Sequence, residues 1–342
     1  MNKMNRSQFV KRFQKPLILL GVMLVMVILQ PRIFPTFNNM LSILYAVSIY
    51  GTMICGMIYA VLLGGIDLSV GPVAALSGAV TVLTIIGMGK TGTSVVVGIV
   101  LGLLAGAAVG LVNGLIISYF DVPAFLITLS TQSIINGVAQ LTTGNHTIAA
   151  MEPPSFTFIG SGRLLGVPVP IYIMGIMMLL TYIILNKTVF GQRVYAVGGN
   201  RQAAALSGVA VRRVSTVCYV LSSLMAALSG IVLASMNQQA IAKAATGYEN
   251  DVLTAIVVGG TSLAGGEGSI QGALFGALLV GVLNNGMRLM GVPSTYHTLV
   301  KGVIIICAVA TDVYAKNKNS GLQRSMFGRP FRRGDSKGAL KS

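Results

Sequence analysis

Charge is the scarcest property of this chain. Only 9% of its 342 residues are Asp, Glu, Lys or Arg, and only eight are acidic, whereas a soluble domain carries about 25% charged residues. With 54% hydrophobic residues and a mean hydropathy of +0.80, a soluble globular domain is excluded and an integral membrane protein is expected. Chemistry-bearing residues are equally sparse. The two histidines, His146 and His297, lack both an HExxH helix and a cysteine cluster, which excludes the usual zinc hydrolase patterns. The three cysteines, Cys55, Cys218 and Cys307, show no CxxC spacing and fall in apolar stretches, so they read as small packing residues. There is no GxSxG elbow and no carboxylate pair beside a histidine, which leaves catalysis by this polypeptide unsupported. "GMGKTG" at 87–92 resembles the end of a phosphate-binding loop, but the motif requires glycine where Thr84 stands. The chain is therefore expected to bind no ATP, metal or other cofactor itself, and not to be an enzyme.

Apolar stretches are what the chain has in abundance. Ten approach the ~20 residues that cross a hydrocarbon core: 17–33, 44–63, 70–86, 94–119, 123–141, 169–185, 214–235, 251–263, 270–290 and 296–313. The fold class expected is an all-α polytopic bundle of about ten spans, or eight or nine if the short stretch at 251–263 is re-entrant. The first stretch follows a basic leader but no small-residue cleavage site, so it reads as an uncleaved span.

The net charge of +16 is unevenly placed. Eighteen of the 24 basic residues lie in three clusters: Lys3 to Lys15, Lys187 to Arg213, and Lys316 to Lys341. With ten spans all three fall on one side, and the positive-inside rule puts both termini and the 186–213 loop in the cytoplasm. Basic residues are not interleaved with aromatics, so a nucleic-acid partner is not expected and the tail reads as a lipid-facing end. The expected organisation is a basic segment at 1–16, a membrane domain at 17–313 and a basic tail at 314–342.

Polar interruptions carry the remaining information. Gly102, Gly106, Gly110 and Gly114 form one stripe of a helix, the pattern of close helix packing in membranes; Asn113 beside them needs a partner or water. "LLGGIDLSVGP" at 62–72 ends one apolar run at Gly64 and Gly65 and opens another before Pro72, with Asp67 and Ser69 placed to cap the new helix. The residue types support two readings equally, a capped turn at the membrane surface or a break at depth lining a water-filled path. In the 186–213 loop, Gly191, Gly198 and Gly199 are expected to break the backbone. Asn200 is an N-cap before "RQAAALS", which carries Ala203 and Ala204, and Gly208 closes this single short amphipathic helix.

Four segments carry a family resemblance. "GGIDLSVG" is similar to the signature of permease subunits of bacterial ATP-binding-cassette (ABC) sugar importers of the ribose and galactose type. That family also includes autoinducer-2 permeases and is distantly related to branched-chain amino-acid permeases. "VPAFLITLSTQSIINGVAQLTTG" (122–144), "FGQRVYAVGGNRQAAALSGVAVRRV" (190–214) and "GYENDVLTAIVVGGTSLAGGEGSIQGALFGALLVGVLNNGM" (247–287) resemble further segments of it, in the expected order. In the last, Glu249, Asn250 and Asp251 stand where relatives commonly read Glu-Leu-Asp. By topology these acids are expected at the outer face, as a cap or a contact for an external protein. "GGTSLAGGEGS" at 259–269 echoes the 64–71 break, without occupying the matching position in two equal halves.

The resemblance implies a permease for a monosaccharide such as ribose, galactose or xylose. Its implied partners are a second permease copy or paralogue, cytoplasmic ATPase subunits that use the ATP, and a periplasmic or lipid-anchored sugar-binding protein, in a bacterial inner membrane. It makes the 186–213 loop a coupling element docking into an ATPase groove. Sugars require many modest hydrogen bonds, so the expected pathway or gate is Gly64, Gly65, Asp67, Ser69, Gly71, Asn113, Thr128, Ser130, Gln132 and Asn136. Importers of autoinducer-2 or a nucleoside, an ion-coupled transporter and a membrane scaffold remain the alternatives.

Overall fold

The computed structural model describes residues 6–149, 153–293, 295–304, 306 and 310, with side chains from residue 16 on. The basic leader's side chains, the basic tail and Cys307 lie outside the described residues, as does part of the tenth expected span.

The chain folds almost entirely as helices: α1 Arg6–Leu29, α2 Phe37–Leu62, α3 Val70–Gly87, α4 Gly92–Phe120, α5 Ala124–Thr142, α6 Pro154–Ser161, α7 Val169–Lys187, α8 Val189–Gly199, α9 Arg201–Leu206, α10 Val211–Asn237, α11 Tyr248–Val258 and α12 Ile270–Leu289. Residues 295–304 are also helical. Four two-residue strands, β1 Ile148–Ala149, β2 Arg163–Leu164, β3 Val167–Pro168 and β4 Gln239–Ala240, make two small antiparallel pairs, β1 with β4 and β2 with β3.

Among the described residues, seven helices, α2, α3, α4, α5, α7, α10 and α12, are long and apolar enough to cross a membrane; α1 adds a shorter apolar stretch, Pro16–Leu29. The expected span at 251–263 is instead the 11-residue α11 followed by a glycine-rich turn. At ~1.5 Å per residue such a helix covers about 16 Å, roughly half a hydrocarbon core. It enters the bundle without crossing it.

The two ends of the bundle are distinct. Leu62, Asp121, α8, α9 and the 259–269 turn share one end, joined by the Leu62–Gly266 backbone bond and the Arg201–Asp121 ion pair. Gln30–Thr36, β1, β4 and the β2–β3 hairpin share the other. Lys187, Arg193, Arg201, Arg212 and Arg213 belong to the first, basic end.

Close backbone approach explains the order of packing at the centre. The α4 stripe of Gly102, Gly106, Gly110 and Gly114 is buried. A methyl at Gly110 would lie 2.6 Å from the Tyr219 carbonyl oxygen, and one at Gly114 2.8 Å from the Thr216 Cα. Across the same core, a methyl at Gly230 would overlap the Ala74 carbonyl. α3, α4 and α10 therefore meet backbone to backbone, as small-residue seams permit. Cys55 and Cys218 are fully buried in this core.

Replacing Gly110 by valine should force α4 off α10 and cost about 1–3 kcal/mol or more. Gly137→Ala, where a methyl meets nothing within 4 Å, should change stability by about 1 kcal/mol at most. Thermal unfolding of both variants in detergent checks the contrast.

Candidate functional site

The break between α2 and α3 begins where helical hydrogen bonding runs out. The Leu63 and Gly65 N–H groups still donate to the Ala60 carbonyl (3.1 and 2.9 Å), and the Gly64 N–H donates to Val61 at 2.9 Å. Gly64 then turns left-handed (φ +80°), a conformation glycine adopts without steric cost. A methyl on Gly65 would overlap the Tyr219 hydroxyl of α10, and one on Gly71 the Glu249 carboxylate. Both glycines are thus required by neighbours rather than by their own torsions.

Asp67, Ser69, Asn113 and Thr128 are fully buried and joined. Asp67 Oδ1 accepts from the Ser69 N–H (3.0 Å) and from its hydroxyl (2.5 Å). Asn113 of α4 donates from Nδ2 to the Ser69 Oγ (3.1 Å) and accepts at Oδ1 from Thr131 of α5 (2.6 Å). Thr128 donates to the Ile66 carbonyl at 2.9 Å. Ser222 of α10 faces the Asp67 carboxylate. One polar knot therefore ties the break to α4 and α5, with Ser222 of α10 beside it.

Ser69 is the N-cap residue of α3, but its side chain makes no capping bond, contrary to expectation. Its backbone is already helical (φ −78°, ψ −9°), whereas a capping side chain needs extended backbone. Asp67 instead organises the turn by holding the Ser69 N–H.

Helix geometry supplies the depth that composition left open. Asn113 lies eight residues from the C-cap of α4, Asp121, and Thr131 eight residues from the N-cap of α5, Pro123. Both caps are at the basic end, so the knot sits about 12 Å in from it. The break therefore lies inside the bundle, and the protein satisfies Asp67 Oδ1, Ser69, Asn113 and Thr128 there, while Asp67 Oδ2 is buried without a hydrogen-bond partner among the described residues.

The other expected residues separate from the knot. Ser130 is exposed, and its hydroxyl returns to the Leu126 carbonyl of its own helix (2.8 Å). Gln132 is half-buried and donates to Glu249 Oε1 (3.2 Å). Asn136 is half-buried one turn farther along α5. Sequence reading missed Thr131, Tyr219 and Glu249 as members of this region. Glu249 and Asp251 are not at an outer surface: they are 7% and 4% exposed, which excludes direct contact with a soluble protein in this conformation. Glu249 accepts from the Gly247 N–H (3.2 Å), a bond that caps α11, and Asp251 pairs with Lys301 (2.7 Å).

The 186–213 loop also departs from expectation. It holds two helices: Gly191 lies inside α8 rather than breaking it, while Gly198 and Gly199 are the last two residues of α8, which ends with the glycine pair. A methyl at Gly191 would overlap the Leu185 carbonyl, and one at Gly198 the Leu62 carbonyl. Two of these glycines therefore serve close approach. Asn200 does cap α9, its Oδ1 accepting from the Ala203 N–H at 2.9 Å, and Gly208 is left-handed (φ +82°). α9 buries Ala204, exposes Ala203 and leaves Leu206 91% exposed.

Comparison with known proteins places this geometry. A family model described as "Branched-chain amino acid transport system / permease component" matches residues 39–309. The chain is similar to the ribose import permease protein RbsC of Escherichia coli (strain K12), 42% identical over 303 residues, covering 87% of this chain and 93% of that one. RbsC of Bacillus subtilis (strain 168) is 40% identical over 292 residues, covering 84% and 89%. The L-arabinose ABC transporter permease protein AraH of Azospirillum brasilense is 36% identical over 291 residues, covering 85% and 84%. No solved structure matches the chain.

Asn113→Leu should remove both bonds that tie α4 to Ser69 and to the half-buried Thr131 and cost about 1–3 kcal/mol. Ser130→Ala, which removes only a bond within α5, should cost less than about 0.5 kcal/mol. Thermal midpoints of the detergent-solubilised variants would show equal losses if the knot were not holding the break.

Proposed function

Because the chain belongs to the family of branched-chain amino acid transport system permease components, we propose that it is the permease subunit of an ABC importer that carries a monosaccharide across a bacterial inner membrane. The observation that carries this reading is the α8–α9 unit. It stands at the basic end of the bundle, carries the exposed Arg193 and Arg201, and presents a nearly fully exposed leucine, Leu206. The positive-inside rule puts that end in the cytoplasm, where a short helix with one apolar anchor suits the groove of an ATPase subunit. ATP is then used by that partner, and this chain carries no catalysis.

The relatives are named for ribose and L-arabinose, which supports a five-carbon sugar as cargo. On α5, Gln132, Ser133, Asn136 and Gln140 share one side and are half-buried or exposed. Polar residues on a membrane helix face protein or a water-filled cavity, so this side suits a pathway at the seam with a second permease copy or paralogue. In this reading the buried knot of Asp67, Ser69, Asn113 and Thr128, with Gly64, Gly65 and Gly71, frames a gate, while Ser130, Gln132 and Asn136 meet cargo delivered by an extracytoplasmic binding protein. The seven spans, with α1, the half-length α11 and the helix at 295–304, suit a ten-segment arrangement with both termini cytoplasmic.

Proteoliposomes holding this chain with its ATPase and binding protein should take up radiolabelled ribose or L-arabinose only when ATP is supplied. Leu206→Glu should reduce co-purification of the ATPase about tenfold or more, as loss of an interface anchor does. ATP-independent uptake, or unchanged ATPase binding in Leu206→Glu, would refute the reading.

A further inference from the structure

Three segments far apart in sequence meet through their backbones at the basic end. The first is the C-terminus of α2 with the start of the break, Leu62 to Gly64. The second is the turn between α11 and α12, Ala264 to Gly266. The third is the last turn of α8, Gly198 and Gly199. The Gly266 N–H donates to the Leu62 carbonyl at 2.8 Å. Gly64, Gly265 and Gly266 are all left-handed, at φ +80°, +86° and +75°.

The space between them is filled. A methyl on Gly198 would overlap the Leu62 carbonyl oxygen and come within 2.6 Å of the Gly266 nitrogen. One on Gly265 would lie 2.7 Å from the Gly64 nitrogen, 2.9 Å from the Gly198 carbonyl oxygen and 3.0 Å from that of Leu62. One on Gly266 would lie 2.7 Å from the Gly199 Cα. A side-chain bond reinforces the contact: the Tyr195 hydroxyl of α8 donates to the Gly268 carbonyl at 3.0 Å, and Gly268 immediately precedes the N-cap residue of α12, Ser269.

We infer that this glycine junction transmits displacement of α8 and α9 to α3 and α12 at once, making Gly198 and Tyr195 positioning residues for transport. The inference rests on the importer reading and adds the route by which its driving motion enters the bundle. The physical reason is stiffness. Side chains at a contact change rotamer and absorb small shifts, whereas backbones in van der Waals contact and bonded N–H to O=C have no such slack. α8 cannot move along the bundle without carrying Leu62 and Gly266, and each leads within a few residues to a helix start. α3 begins after the Asp67 knot and α12 after Ser269, so one input reaches two spans. The echo of "GGIDLSVG" in "GGTSLAGGEGS" thus corresponds to physical contact between the two breaks.

Two helix glycines allow a direct test. A methyl on Gly198 meets the Leu62 carbonyl and the Gly266 nitrogen, while one on Gly175 of α7, outside the junction, meets nothing within 4 Å. In proteoliposomes with the ATPase and binding protein, Gly198→Ala should retain ATPase binding and hydrolysis. Its ribose uptake per ATP hydrolysed should fall about tenfold or more, the scale of a lost conformational coupling. Gly175→Ala should match wild type. Tyr195→Phe, which keeps the ring and loses only the bond to Gly268, should lower the same ratio several-fold, and it serves as the test should Gly198→Ala fail to fold. Wild-type coupling in Tyr195→Phe, a wild-type ratio in well-folded Gly198→Ala, or equal losses in Gly198→Ala and Gly175→Ala would overturn the inference. Absence of ATP-dependent uptake in the wild-type complex would instead refute the importer reading on which it rests.

Discussion

A peptide group removed from water must find a hydrogen-bond partner, and in a membrane the penalty for failing is several kcal/mol. A continuous helix meets that requirement within itself. This chain departs from continuous helix at 63–69 and at 259–269, and the architecture around those departures follows from the requirement. At the first, helix-type bonds persist as far as Gly65, Asp67 holds the Ser69 N–H, Thr128 bonds the Ile66 carbonyl, and Gly266 takes the carbonyl of Leu62. Three elements, α2, α5 and the 259–269 turn, join Asp67 in stabilising one short stretch of irregular backbone. A break supported this way is over-determined, so it can be an ordered feature of the bundle.

Close approach is the second consequence. Partners can reach the broken backbone only if α3, α4, α10 and the tail of α8 lie unusually near it, and nearness at this scale requires hydrogen atoms where other residues carry a Cβ. The glycines of α4, Gly230 of α10 and Gly198 of α8 each occupy such a place. Small residues here have two effects. They let dispersion contacts accumulate without a hydrophobic drive between helices, and they remove the side-chain slack that would decouple neighbouring elements. An input at α8 and α9 is therefore delivered to backbone.

Much of the fold was legible from residue types, because helix formation in an apolar solvent is a local matter. The apolar runs predicted α2, α3, α4, α5, α7, α10 and α12, the α4 glycine stripe predicted its packing face, and Asn200 with Gly208 predicted the limits of α9. Other features were not. Ser69 has the composition of a cap, but its hydroxyl is drawn to Asp67 and Asn113. Gly191 and Gly198 read as helix breakers because a glycine that relieves torsion and a glycine that admits a neighbour are the same letter. Glu249 and Asp251 read as surface acids because no local pattern reveals a half-length helix plunging into the bundle. Gln132 and Lys301, which pair with them, are 117 and 50 residues away.

The sequence by itself determined the solvent, the approximate place of the seven long helices and the family, since each rests on composition, local periodicity or the order of motifs. Only the tertiary structure decided the depth of the Asp67 break, the burial of Glu249, and the meeting of Leu62, Gly198 and Gly266 at one point. Those are contacts between segments separated by tens to hundreds of residues. Each partner is chosen by where the others' backbones stand in space, a relation that no single stretch of the chain encodes.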